Sequence, residues 1–251
     1  MTPGSQAVRR DRALVIMPTY NERENIERVT SRLFAAAENR VDLLVIDDGS
    51  PDGTAELVKA LVAARTDVHV IERSGKLGLG TAYVEGFRWG LERGYWALVE
   101  MDADLSHDPA DVLRLLDALK DSDLAIGSRY VPGGQVENWS SLRKLLSRYA
   151  NNYARFWLGY DVRDSTAGFR AYRAPALGAV DLATLRSEGY AFQIELTRRF
   201  AKKKRRIAEV PITFVERTGG RSKMSSRIVL EALVNVTAWG FRDRFTRARK
   251  H

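Results

Sequence analysis

Five short apolar runs punctuate the first half of the chain: Ala13–Met17, Leu43–Ile46, Val68–Ile71, Trp96–Met101 and Leu124–Gly127. Each is too short for a helix and continuous rather than alternating, as expected of a strand covered on both faces. Helical stretches separate them, at about Glu24–Glu38, Thr54–Ala64, from Gly78 and Gly80 to about Arg93, and after Pro109. This alternation predicts βαβ units and an α/β fold with a mainly parallel central sheet flanked by helices.

The second half is less regular. It reads as a loop at Val131–Asn138, a helix over Leu142–Leu158, a glycine-containing segment at Ser165–Tyr172 and a helix around Phe192–Ala201. A strand at Ile207–Val215 and a last helix over about Ser225–Phe245 follow. No repeat, linker or low-complexity tract interrupts it. The predicted organisation is a flexible segment over 1–12, a single domain over 13–245 and a basic tail over 246–251.

Composition narrows the chemistry. With no cysteine and three histidines among 251 residues, a thiolate or multi-histidine metal site is disfavoured. A bound metal would be held by oxygen, as Mg²⁺, Mn²⁺ or Ca²⁺ are. The formal net charge of +8 suggests an anionic partner. The bias is concentrated from Arg217 to His251, where nine Lys/Arg stand against two Asp/Glu. No export signal or bilayer-spanning run is read in the sequence, so a cytoplasmic location is expected.

The predicted strand ends are polar where ligands of parallel sheets bind. They read Pro18-Thr19-Tyr20-Asn21-Glu22, Asp47-Asp48-Gly49-Ser50, Asp102-Ala103-Asp104-Leu105-Ser106-His107 and Gly127-Ser128-Arg129-Tyr130. In extended backbone, residues two apart share a side. Asp102 and Asp104 would repel unless a cation or a proton sat between them. A hard divalent ion fits and leaves positions open for phosphate oxygens. No GxxxxGK[ST] loop is present. The Gly78-x-Gly80 segment lacks the full dinucleotide fingerprint, because position 83 is Tyr83, and it follows the third strand.

The strings Met17–Asn25, Ile46–Thr54, Lys76–Tyr83 and Met101–His107 resemble those of the dolichol-phosphate mannose synthase family. So do Gly127–Tyr130, Arg143–Arg148 and Val210–Arg217. The resemblance spans nearly the whole chain. It implies a family-2 inverting glycosyltransferase with the glycosyltransferase-A fold. It also implies transfer of mannose from GDP-mannose to a polyprenyl (dolichyl-type) monophosphate, giving a β-linked product.

By that resemblance Pro18, Tyr20, Glu22, Ile46 and Asp48 line the guanosine pocket. Asp102, Ala103 and Asp104 hold the diphosphate and Mg²⁺ or Mn²⁺. Ser106 stands at the third metal position, where some relatives carry Gln. Arg217 and Lys223 clamp the donor phosphates, and Arg129, Arg143 and Ser147 form the acceptor-phosphate site. Asp104, Arg129 and Arg217 are the expected catalytic residues. An ionised acceptor phosphate needs no strong general base, which suits a chain with so few histidines.

Two other readings compete. One is a relative using another nucleotide sugar, such as UDP-glucose, with the same lipid. The other is a nucleic-acid-binding protein built on the Lys202–Arg206 run. Acidic strand ends argue against nucleic acid as a partner. The lipid acceptor implies peripheral association with the cytoplasmic face of a membrane. The helix over Ile228–Phe245, with the basic residues at its end, is the expected contact, and a separate integral membrane subunit could share that surface.

Overall fold

The computed structural model describes residues 11–185, 187–216 and 226–248, with side chains described for 232–243 of the last segment. The apolar runs become β1 (Ala13–Thr19), β2 (Val41–Asp47), β3 (Val68–Glu72), β4 (Ala97–Glu100) and β5 (Leu124–Ser128). The helices between them are α1 (Ile26–Ala37), α2 (Thr54–Ala64), α3 (Leu79–Glu92) and α4 (Asp111–Ala118). β1, β2 and β4 are almost wholly buried, which explains why they lack alternation.

The second half adds β6 (Gln135–Glu137), α5 (Ser141–Leu158), β7 (Arg170–Arg173) and α6 (Ala174–Gly178). Then come α7 (Gly189–Lys202), β8 (Ile207–Pro211), β9 (Thr213–Val215) and α8 (Ser226–Ala248). The main sheet has the order β3-β2-β1-β4-β7-β5-β8. All its pairings are parallel except those of β7, which runs antiparallel between β4 and β5.

Besides the unread strand β7, four sequence readings change. The expected loop at 131–138 contains β6, which pairs in parallel with β9 as a separate two-stranded sheet. The expected single strand at 207–215 is two. Pro211, without an N–H, closes β8, and Ile212 bridges the sheets: its N–H donates to Ser128 O and its C=O accepts from Gln135 N. Arg12, assigned to the flexible segment, is anchored to Asp42 by an ion pair of 2.6 Å. α8 extends through Ala248, beyond the expected boundary at 245.

One apolar layer packs α1, α2 and α4 on one face of the sheet, and a second packs α3, α6 and α7 on the other. On the second face, α3 approaches β1 closely at Gly86, where a Cβ would meet Ile16 at 2.6 Å. A smaller cluster joins Ala154 and Leu158 of α5, Ile194 of α7 and Val236 of α8.

Candidate active site

Parallel pairing places the carboxyl ends of β1, β2 and β4 at one edge. Asp48 N donates to Thr19 O at 3.0 Å, and Met101 N to Ile16 O at 3.2 Å. The two neighbouring aspartates of β2 then do different work. Asp47 is buried and accepts from Thr19 Oγ1 (2.8 Å), Ser50 N (2.8 Å) and Ser50 Oγ (2.6 Å), binding two strand ends together. Asp48 faces the loop after β3 and forms an ion pair of 2.8 Å with Arg73. Burial pushes the Asp48 carboxyl above its ordinary value against the pull of Arg73.

The other expected donor residues surround this point. Pro18 and Tyr20 are half-buried, and Lys76 Nζ lies 4.7 Å from the centre of the Tyr20 ring. Glu22 accepts from Asn25 Nδ2 at 2.9 Å, and its own N–H donates to Thr54 Oγ1. Ile46 is fully buried, with its side chain in the core on the α3 side of the sheet. A cleft of about 620 Å³ opens behind the Arg73–Gly80 loop, lined by Arg73, Thr81, Glu85, Trp89 and Glu188. It shares only Arg73 with the acidic edge.

After β4 the chain turns sharply. Leu105 takes φ +61°, an uncommon left-handed conformation for a non-glycine residue. Within this turn, Ser106 N donates to Asp104 Oδ1 at 3.1 Å. Asp102 accepts from the buried Tyr83 hydroxyl at 3.3 Å, and its N–H donates to His107 Nδ1 at 3.4 Å. Burial pushes His107 down to about 4, so it is neutral at physiological pH, stacked on Phe169. Asp102 and Asp104 are half-buried. Ser106 Oγ is buried with no hydrogen-bond partner among the described residues. Two carboxylates beside an orphaned hydroxyl oxygen are a donor set that suits a hard divalent cation. Among the described residues no third His, Cys, Asp or Glu joins them, so further coordination would come from ligand oxygens or water.

Beneath this turn is a polar network for which the sequence reading assigned no role. Glu100, fully buried at the end of β4, accepts from Tyr172 Oη (2.9 Å) and Gln193 Nε2 (2.6 Å). Burial raises its carboxyl to about 7. Its register partner Arg170 is also buried and donates to Ala167 O, Gln193 O, Thr197 Oγ1 and Ser165 O.

The expected acceptor residues lie on the other flank. The Arg129 guanidinium is buried in a two-point ion pair with Asp164, Nε to Oδ2 and Nη2 to Oδ1, both 2.7 Å. Nη2 also donates to Thr166 Oγ1 at 2.9 Å. Burial pulls the guanidinium down, but the Asp164 charge overrides it and holds the proton more firmly than usual. Asp164 and Thr166 belong to a segment read from sequence only as glycine-containing. An aspartate 35 residues beyond the arginine that follows β5, yet in direct contact with it, leaves no trace in linear spacing.

Arg143, in the first turn of α5, is ion-paired to Glu216 and covers the Trp139 ring at 4.0 Å. Ser147 is one turn further along α5, where its C=O accepts from Asn151 Nδ2. The backbone links this flank to the acidic turn, because Val215 N donates to Ser106 O at 3.1 Å. Arg217 and Lys223 lie outside the described residues.

Comparison with known proteins identifies the family and the fold. The family described as Glycosyl transferase family 2 matches residues 14–180. The chain is 54% identical over 240 residues to a polyprenol monophosphomannose synthase of Mycolicibacterium smegmatis, covering 95% of this chain and 90% of that protein. It is 53% identical to an undecaprenyl-phosphate mannosyltransferase of Micrococcus luteus, covering 93% and 96%. It is 39% identical to a dolichol-phosphate mannosyltransferase of Pyrococcus furiosus, covering 88% of this chain and 62% of that one. Among solved structures, glucosyl-3-phosphoglycerate synthase of Mycobacterium tuberculosis, in complex with Mn²⁺, uridine diphosphate and glucosyl-3-phosphoglycerate, superposes with a TM-score of 0.66. That match covers 91% of this chain and 80% of the other at 19% identity, a likeness of fold.

Proposed function

The chain belongs to glycosyl transferase family 2, and from that premise we propose that it transfers a mannosyl group to the phosphate of a polyprenyl monophosphate, with GDP-mannose as donor. One observation carries the reading. The Val215–Ser106 hydrogen bond joins the acidic donor edge to the segment bearing Glu216, the ion-pair partner of Arg143. That adjacency of acidic and basic groups supports neighbouring sites for an anionic, metal-assisted donor and an anionic acceptor.

In this reading Pro18, Tyr20, Glu22, Ile46 and Asp48 take the nucleoside, Ile46 through its backbone. Asp102, Ala103 and Asp104 take the diphosphate, with Arg217 and Lys223 completing its clamp. Asp102, Asp104 and Ser106 would hold Mg²⁺ or Mn²⁺. When bound there, the cation supplies charge stabilisation for the departing diphosphate.

Arg143 and Ser147 meet the acceptor phosphate. Arg129, its charge balanced by buried Asp164, orders the wall behind that phosphate and does not reach it as a free cation. An ionised phosphate oxygen is itself the nucleophile, so no side chain has to remove a proton. A single displacement from the α-linked donor then gives a β-linked mannosyl phosphate lipid. Alignment of the two substrates contributes much of the remaining acceleration.

Among the described residues no helix is long and apolar enough to cross a membrane. We infer peripheral association with the membrane that holds the lipid. The deciding experiment incubates the protein with polyprenyl phosphate and labelled GDP-mannose or UDP-glucose, with Mg²⁺, Mn²⁺ or a chelator. Metal-dependent label in a β-mannosyl lipid is expected. Preferred turnover of UDP-glucose, full activity in chelator or an α-linked product would overturn the corresponding part.

A further inference from the structure

Position 83 is where the chain departs from the dinucleotide fingerprint, and no step of the reaction uses its tyrosine. Tyr83 lies in the second turn of α3 and is fully buried. Its ring stacks on Phe87 of the same helix, 6.2 Å between centres, and on Phe192 of α7, at 6.3 Å. α3 is seated on α7 here without slack. A Cβ on Gly80 would meet Phe192 Cδ2 at 3.0 Å and Ser187 O at 3.1 Å. The close approach of Gly86 to Ile16 of β1 holds the other side of the helix. The ring therefore has one place.

An apolar slot of this kind suits phenylalanine equally well. A tyrosine there buries a hydroxyl, which is costly unless it is hydrogen-bonded. The hydroxyl meets Asp102 Oδ1 at 3.3 Å. An ionised carboxylate only accepts, so Tyr83 donates. Oδ1 is thereby held on the α3 side. The other oxygen, Oδ2, lies towards Gly168, where a Cβ would come within 3.9 Å of it. The backbone of Asp102 is held as well, through its N–H to His107 Nδ1. Each oxygen of the carboxylate thus has an assigned side. Without that grip the carboxylate would turn away from the like charge of Asp104.

We propose that Tyr83 is a positioning residue: its hydroxyl fixes the orientation in which Asp102 meets a divalent cation, and so sets cation affinity from outside the coordination sphere. The proposal rests on the reading of Asp102 as a cation ligand given above. It adds a residue that reaches the reaction only through another side chain.

The test compares the full chain with Tyr83→Phe, Asp102→Ala and the double variant. Electron paramagnetic resonance follows free Mn²⁺ during titration in the presence of guanosine diphosphate, and mannosyl transfer is assayed at rising Mn²⁺. Tyr83→Phe should keep the wild-type circular dichroism and weaken Mn²⁺ binding about tenfold, the low end for losing an outer partner of a metal ligand, because the hydrogen bond is long. Turnover should fall at low Mn²⁺ and recover as Mn²⁺ is raised, with KM for polyprenyl phosphate unchanged. In the Asp102→Ala background the same change should have no further effect on Mn²⁺ binding or on residual turnover at saturating Mn²⁺. A ring that serves packing alone would lower the unfolding midpoint and leave Mn²⁺ binding unchanged. That result, or an equal loss with and without the Asp102 carboxylate, would overturn the proposal. Absence of Mn²⁺ binding by the wild type would overturn it together with the cation part of the proposed function. Mn²⁺ binding that depends on Tyr83, without any mannosyl transfer, would support the proposal and count against the enzymatic reading alone.

Discussion

Asp104 and Arg143 stand on opposite sides of the candidate site, and each carries a separable prediction. Asp104→Ala removes one of the two carboxylates beside the orphaned Ser106 hydroxyl. Transfer should fall on the order of 10²- to 10³-fold, as on losing one transition-state charge contact. Calorimetric Mn²⁺ binding should weaken in parallel, with the unfolding midpoint unchanged. Arg143→Ala should raise KM for polyprenyl phosphate by about tenfold or more, the cost of a charge-assisted hydrogen bond, and leave KM for GDP-mannose nearly unchanged. Glu216→Gln should act in the opposite direction, because it releases Arg143 from its carboxylate partner. Steady-state kinetics with each substrate varied in turn checks both. Asp48 and Asp102 were legible in the sequence because a buried strand must end in polar residues. Asp164, Glu100 and Arg170 were not. Their pairing is tertiary, and a buried arginine such as Arg170 reads as a surface residue until the four acceptors around it are seen.

The elements read from continuous apolar runs match closely, since burial on both faces imposes a pattern visible over a few residues. β7 was missed for the converse reason. Its sequence, Arg-Ala-Tyr-Arg, puts polar groups at the ends of a four-residue strand inserted between β4 and β5, a placement made tolerable by the acceptors around Arg170, by Leu119 O for Arg173 and by Glu100 for the Tyr172 hydroxyl. The α8–α5 contact is equally tertiary. A Cβ at Gly240 would meet Trp157 O at 2.8 Å, so the two helices touch backbone to backbone there. Gly240→Leu should push α8 outward and destabilise the fold by about 1–3 kcal/mol, the cost of overpacking. Urea unfolding measures the loss. The sheet core should be spared, so activity per folded molecule should change less than stability. An unchanged midpoint would show that the helices separate without penalty.

At the scale of the molecule, two buried groups tie stability to pH in opposite senses. Glu100 has its carboxyl raised from 4.5 to about 7 by burial, so its contribution is fully present below 4.5 and is lost as pH rises through 7. His107 is depressed from 6.5 to about 4, so its contribution is present above 6.5 and is lost as pH falls through 4. Between these limits the slopes oppose and stability should vary little. Glu100→Gln should remove the first slope and leave thermal stability rising with pH from about 4 to about 6.5, followed by scanning calorimetry. The order of the sheet has a consequence for synthesis as well. β5 hydrogen-bonds only to β7 and β8, both of which lie later in the chain. As the polypeptide leaves the ribosome, β1 to β4 can assemble in sequence, but residues 124–128 must wait until residue 173 has emerged for their first partner strand. Until then they form an unpaired apolar strand, so nascent chains stalled between these points are the ones that should need a chaperone.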